Sequence, residues 1–221
     1  MTYSLAGRDR ETGDIGFAVT TSSVCVGARV GAVTDGCVVF SQARTDPRLH
    51  TVGMRKWAET QDAEQTLTAM KDAAVALHWR QLGVLPMTGP ARHFTGSSCM
   101  ESSGGLAGQD CLALGNFLGT DEVLPAMVQG FEGASGHLAV RLMAGMRAGE
   151  AAGSERDPLQ SATVVVLGAD SLKDADLRID SSTTPLQDLT ELLTAWLPKA
   201  PAYRVRATDP DSAESSSIIE H

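Results

Sequence analysis

The sequence predicts an α+β fold, an αββα sandwich in which two mainly antiparallel sheets lie face to face and helices cover both outer faces. Three observations lead there. Elements follow the order strands, two helices, strands, two helices, strands, helix. Helices grouped between hairpin-linked strands favour antiparallel sheets over alternating β-α-β units. Each helical segment carries one apolar stripe, and two packed sheets covered on both sides bury every stripe. A chain of 221 residues, 43% hydrophobic and 20% charged, reads as one globular domain. A domain of that size buries roughly 70% of the surface its unfolded form exposes and needs no metal or disulfide to hold a core.

Thr2 to Gly7 and Ile15 to Thr21 form an opening hairpin around a polar turn containing Gly13. Gly31 to Val33 and Cys37 to Ser41 flank Asp35-Gly36, a strong hairpin signal. Residues 51–60 and 63–78 read as helices, the second capped by Asp62 and striped by Leu67, Met70, Ala74 and Leu77. Residues 81–85 and 92–95 make a further hairpin around Pro86 to Pro90, and Cys111 to Asn116 another strand. Thr120 is placed as the cap of a helix to about Phe131, followed by one over 137–148. Ser161 to Leu167 is continuously apolar and so an interior strand, with 177–180 beside it. Thr184-Pro185-Leu186-Gln187 reads as a capping box opening a last helix, with Leu189, Leu192, Leu193 and Trp196 on one face. The domain spans 1–199, and 200–221 is expected to be a flexible acidic, serine-rich tail.

Composition excludes several function classes. A formal net charge of −9 without a basic stripe disfavours nucleic acid and anionic membranes. There is no run of 18 apolar residues and no secretory signal, so a cytoplasmic protein is expected. Cys25, Cys37, Cys99 and Cys111 lack C-x-x-C spacing and are expected as reduced thiols, Cys99 alone lying in a loop worth testing for reactivity. The five histidines show no metal-ligand spacing, and Gly104 to Gly108 lacks the features of a Walker or dinucleotide loop, so no metal and no cofactor are expected. Ser161 lacks the G-x-S-x-G elbow of an α/β-hydrolase.

The chemistry concentrates at Thr2. Removal of Met1, expected before a small second residue, joins a hydroxyl to a free α-amine on one residue fixed in a strand. The reference pKa of an α-amine, about 7.7–8, leaves a usable neutral fraction near pH 7 to accept the hydroxyl proton.

The opening MTYSLAGRDRETGDIGFAVTTS resembles that of the DUF1028 family, whose members have undefined activity and an N-terminal-nucleophile (Ntn) hydrolase-like fold. Val26-Gly27, Gly31 to Val33, Ser41-Gln42-Ala43, Asp46-Pro47, Arg80 to Val84, Phe94-Thr95-Gly96, Gly115-Asn116, Gln160-Ser161-Ala162 and Asp176 to Asp180 continue the resemblance in order across about 1–197. It departs at Leu114, where the family favours Gln, at His50, where it favours Tyr, and in Gly153 to Leu159, departures that bear on substrate selectivity. The resemblance implies the same sandwich and an Ntn-type site in which Thr2 attacks an amide carbonyl.

In such a site Asn116, at a strand end, is an oxyanion donor or else a turn residue. Thr21 contacts the amine or substrate if its strand lies beside the first, and otherwise is surface filler. Gln42 projects a neutral amide into a pocket or ends a strand. Arg80 binds a substrate carboxylate or braces Asp157 or Asp180. Asp157 and Gln160 border the site or serve as turn chemistry. The expected function is hydrolysis of a small linear or cyclic amide. The alternatives are a non-catalytic member that binds a small metabolite or forms a structural oligomer, and a hydrolase using Cys25 or Ser4. A homo-oligomer is expected by analogy with related sandwiches.

Overall fold

The computed structural model describes residues 1–214. It is a mixed α+β fold with two antiparallel sheets and, among the described residues, six α-helices. The chain runs β1 (Thr2–Arg8), β2 (Ile15–Thr21), β3 (Gly31–Thr34), β4 (Cys37–Ala43), α1 (Arg48–Thr60), α2 (Ala63–Ala73), β5 (Arg80–Pro86), β6 (Arg92–Thr95), β7 (Gly104–Ala107) and β8 (Cys111–Asn116). It continues with α3 (Val123–Glu132), α4 (Leu138–Ala151), β9 (Ser161–Leu167), β10 (Lys173–Ile179), α5 (Pro185–Trp196) and α6 (Ala200–Thr208). One sheet has the order β10-β9-β2-β1-β8-β7, the other β3-β4-β5-β6.

Strand alternation sorts the core into three clusters. From β1, Ala6 joins Phe17, Val19, Leu112, Leu114, Val38, Phe40 and Leu85 between the sheets. Its neighbours Tyr3 and Leu5 point the other way, into a cluster with Met127 and Phe131 of α3, Leu142 and Met146 of α4 and Leu189 of α5. The outer face of the four-stranded sheet, through Val39, Leu82 and Val84, packs on Leu49 and Trp57 of α1 and Leu67 and Met70 of α2. Thr2 shares the face of Ala6 and therefore looks into the seam between the sheets.

Two devices pin the ends of β1. At its start Thr2 is paired with Thr21 of β2 on one side and with Asn116 of β8 on the other. At its finish Arg8, almost fully buried, donates to Asp110 Oδ1 at 2.9 Å, to Gly89 O at 2.8 Å and to Pro86 O, tying the larger sheet to the β5–β6 turn. The Asp35-Gly36 turn forms as expected, with Gly36 at φ +73°.

Several local expectations are corrected. The helix read over 63–78 stops at Ala73: Ala74 is extended, Ala76 left-handed, and the Arg80 guanidinium takes the Val75 carbonyl at 3.0 Å. Thr120 does not cap α3, because the helix begins at Val123 with Glu122 at its N-cap; the Thr120 hydroxyl donates to Ala152 O at 2.7 Å. Thr184 precedes Pro185 at the start of α5, but its hydroxyl donates to Asp188 Oδ1 at 3.0 Å rather than accepting a backbone N–H. Strand β7 lies outside the elements the sequence predicts, since its two glycines carry no strand signal. Beyond residue 199, α6 lies against α5 through stacked Trp196 and Tyr203, 5.3 Å between centroids, and Arg204 pairs with Asp170 and Asp174. Residues 215–221 of the expected tail lie outside the described residues.

Candidate active site

The start of β1 adjoins a small cleft lined by Met1, the residue before it, and by Asn116, its partner on β8. The Thr2 hydroxyl donates to the Met1 carbonyl oxygen at 2.5 Å and lies 3.2 Å from the Thr21 hydroxyl, which also donates to the Met1 carbonyl. Thr2 is only 4% exposed. Met1 lies above it and, with Ala43, Arg44, Trp79, Ser98, Cys99, Met100 and Asn116, lines a cleft of about 220 Å³. The residue preceding Thr2 therefore covers the hydroxyl and satisfies it.

Behind the cleft runs a chain of buried amides. Ser4 Oγ donates to Gln42 Oε1 at 2.7 Å, and Gln42 Nε2 donates to Gln81 Oε1 at 2.7 Å. Asn116 Nδ2 reaches the same Gln81 oxygen at 3.0 Å. The Gln81 amide nitrogen in turn faces Thr95 Oγ1 and Gly104 O at 3.0 Å and Gly115 O at 2.8 Å. Facing glutamines belong here because Gln42 and Gln81 are paired across β4 and β5 and share the inward face with Phe40 and Gly83. A buried polar group must be hydrogen-bonded, and the network meets that demand without a charge.

At the mouth, Arg44 lies over the Trp79 ring, 3.7 Å from its centroid, and makes no ion pair among the described residues. Ala43 before it and Phe117 after Asn116 both hold positive φ, +67° and +61°. Non-glycine residues adopt that conformation only when their surroundings enforce it. Cys99 is half-buried in the wall, and burial pushes its thiol up from the ordinary value.

The sequence-derived candidates divide into two groups. Thr2, Thr21 and Asn116 meet in one row across three strands, and Asn116 lines the cleft. Thr21 is 1% exposed, which removes the surface-filler reading. Gln42 is fully buried in the amide chain and orients neighbours rather than lining the cleft. Arg80 donates to the carbonyls of Val75 and Arg44, so it braces neither Asp157 nor Asp180; Asp180 pairs with Arg178 at 2.7 Å. Asp157 borders a separate groove of about 510 Å³ with Arg147, Glu150 and Arg156. Gln160 is exposed, and its backbone N–H donates to Thr21 O at 2.8 Å. Neither side chain is among those lining the cleft. Ser4 sits in the interior network, and Cys25 lies elsewhere, its backbone N–H bonded to Asp180 O.

Sequence reasoning missed Gln81, Arg44 and Glu155. A glutamine on the inward face of an otherwise apolar strand is the signal for Gln81. Glu155 sits in a polar loop that reads as turn. Its carboxylate is buried, Oε1 accepts the Ser22 N–H at 2.7 Å, and Oε2 has no hydrogen-bond partner among the described residues. Burial raises the Glu155 carboxyl above the usual range, against the opposing pull of the Ser22 hydrogen bonds and the chain's amino group.

No group of three or more His, Cys, Asp or Glu converges among the described residues, and no described helix is long and apolar enough to cross a membrane. No protein of curated function matches the chain. The crystal structure of a DUF1028 protein from Silicibacter pomeroyi superposes with a TM-score of 0.81 at 30% identity, covering 87% of this chain and 84% of that one. The family model described as "Family of unknown function (DUF1028)" matches residues 2–189. By that match, which takes in the whole row of Thr2, Thr21 and Asn116, the chain belongs to the DUF1028 family.

Proposed function

We propose that the protein is an N-terminal-nucleophile amide hydrolase acting on a small linear or cyclic amide, with Thr2 as nucleophile after Met1 is removed. The observation that carries this reading is the Thr2 hydroxyl at the start of an interior strand, facing the seam between two sheets beneath a cleft that Met1 fills in part. Three core clusters, one between the sheets and one outside each, support the four-layer αββα arrangement of Ntn hydrolases. In this reading the freed α-amine takes the Thr2 proton as the oxygen adds to the amide carbon. Thr21 orients the hydroxyl, and the second Asn116 N–H faces the developing oxyanion. Arg44, held flat on Trp79, is the cation available to an anionic group on the substrate.

Intact mass and turnover test this together. Loss of one methionine from the native product, with hydrolysis of members of a small-amide library that Thr2→Ala abolishes, is the expected result. Retention of Met1, or undiminished turnover in Thr2→Ala, sinks it. The satisfied Thr2 hydroxyl favours a second reading: with Met1 retained, the same cleft is a metabolite-binding pocket without a nucleophile.

A further inference from the structure

Glu155 stands across the end of β1. Its segment runs antiparallel beside the continuation of β8: Gly119 N–H donates to Ser154 O at 2.9 Å, Arg156 N–H donates to Phe117 O at 3.2 Å, and Leu118 bridges Glu155 between them. Leu118 comes two residues after Asn116, the β8 partner of Thr2. On the other side, Glu155 Oε1 holds the N–H of Ser22, which follows Thr21, the β2 partner of Thr2. Because β1 lies between β2 and β8, a residue that engages the continuations of both closes over the backbone just upstream of Thr2.

The carboxylate is incomplete there. Glu155 is 4% exposed, and Oε2 is buried with no donor among the described residues. An ionised carboxylate so buried is stable only beside a cation or with a full set of donors. The Ser22 N–H from the end of β2 bonds the Glu155 carboxylate. The buried Tyr3 hydroxyl of β1, itself without a hydrogen-bond partner among the described residues, and Asp157 of its own segment interact with its charge. Arg147 and Glu150 of α4 and Arg156 of its own segment line the same groove. No cationic side chain pairs with it among the described residues, and the positive charge that acts on it is the chain's amino group.

We infer that Glu155 is a positioning residue whose free oxygen receives the α-ammonium of Thr2 once Met1 is gone, fixing the orientation and the proton affinity of that amine. This rests on the reading of Thr2 as the first residue of the mature chain. The pairing completes the carboxylate and raises the amine's pKa, since each charge stabilises the other, so the neutral amine that takes the Thr2 proton forms at higher pH than in a free chain end. It also holds the amine beside its own hydroxyl rather than free to rotate into the cleft.

The test uses the full chain beginning at Thr2, obtained by native trimming or by cleaving an amino-terminal fusion, with Glu155→Gln and Glu155→Asp made in the same form. The pH dependence of acylation of the Thr2 amine by a small amine-reactive ester, read by mass, gives its proton affinity, and circular dichroism checks the fold. The parent amine is expected to titrate above the ordinary range of about 7.7–8. Glu155→Gln is expected to lower its proton affinity at least threefold, and Glu155→Asp to restore part of that loss. Equal titration in parent and Glu155→Gln overturns the inference. Should Glu155→Gln not fold, a parent amine titrating at or below the ordinary range overturns it equally. None of these readouts uses turnover. A chain without hydrolytic activity whose amine still responds to Glu155→Gln removes the hydrolase and keeps the anchor, whereas turnover with an unresponsive amine does the reverse.

Discussion

Asn116 faces Thr2 directly across the β1–β8 ladder, and one of its amide hydrogens is committed to Gln81 Oε1 at 3.0 Å. The β8 partner of the proposed nucleophile is therefore oriented by a residue three strands away in the chain and on the opposite sheet. Gln81 supports more than Asn116, because it also accepts from Gln42 and faces the carbonyls of Gly104 and Gly115. Replacing it with leucine strands two buried amide donors and two carbonyls. Each unsatisfied buried group costs about 1–3 kcal/mol, so Gln81→Leu should lower unfolding free energy by roughly 3 kcal/mol or more. Urea denaturation measures this; a loss below about 1 kcal/mol would mean the seam refills with other partners.

Thr2→Ala and Thr2→Ser separate chemistry from packing. In the chain beginning at Thr2, alanine removes a hydroxyl whose remaining side-chain partner is the Thr21 hydroxyl, and it keeps the strand. Stability should change by about 1 kcal/mol or less, while amide turnover falls at least roughly 1,000-fold. Serine keeps both hydroxyl and amine and should retain measurable turnover. A Thr2→Ser protein as inactive as Thr2→Ala, with unchanged melting, would argue that the hydroxyl is not the attacking group.

Thiol labelling should follow burial. Cys37 and Cys111 are fully buried; burial drives the Cys37 thiol far above its ordinary value and pushes that of Cys111 up to about 12. Cys25 and Cys99 are half-exposed. Iodoacetamide on the native protein should modify Cys25 and Cys99 and leave the other two until denaturant is added. The Cys99 rate should keep rising above pH 9, because its thiol is displaced upward by burial. Peptide mapping of labelled protein reads the pattern, and native labelling of Cys37 would contradict the packing of β4 on α1.

What the sequence makes legible follows from the range of the interactions. Hairpins and apolar stripes are local, so β1 to β4 and the inward residues Leu67 and Met70 of α2 and Leu189 and Leu193 of α5 can be read directly. The meeting of Thr2 with Thr21 is a hairpin register and is within reach. Glu155 is not, because its position depends on pairing with residues 117–119, more than 30 positions upstream, while its own neighbours Ser154, Arg156 and Asp157 spell a turn. Thr120 and Thr184 fail as caps because the fold sets their positions: α3 starts three residues after Thr120, at Val123, and the Thr184 hydroxyl is turned to the Asp188 carboxylate, with no backbone N–H donating to it. Proximity in sequence to β9 suggests Asp157 and Gln160 for the site, yet Asp157 borders the other groove and Gln160 is exposed outside the cleft lining.

Asp46 gives a pH test with a definite sign. Hydrogen bonds from Arg48 hold its carboxyl at about 2, below the ordinary 3.8. A depressed folded-state pKa means the ionised carboxylate stabilises the fold above the unfolded value, and that this contribution is lost as pH falls through the folded one. Asp46→Asn should therefore destabilise at pH 7 and lose its effect towards pH 2. Arg48 is 79% exposed, so solvent screening keeps the difference to about 1 kcal/mol or less. Unfolding curves at pH 7, 4 and 2 check it; a penalty for Asp46→Asn that grows in acid would reverse the sign.

Arg44 bears on substrate choice. Its guanidinium is stacked on Trp79, has no carboxylate partner among the described residues and stands at the mouth of the cleft that Asn116 and Cys99 line. If the proposed substrate carries an anionic group, Arg44→Ala should raise KM about tenfold with little change in kcat, because the lost contact is equal in ground and transition states. Arg44→Lys should recover only part of the loss, since an ammonium neither stacks on the indole as a plane nor offers a two-pronged fork. Neutral amides of the same size should be insensitive to both changes. Equal losses on neutral and anionic amides would mean that Arg44 acts through the left-handed turn at Ala43 and the shape of the cleft wall, not through charge.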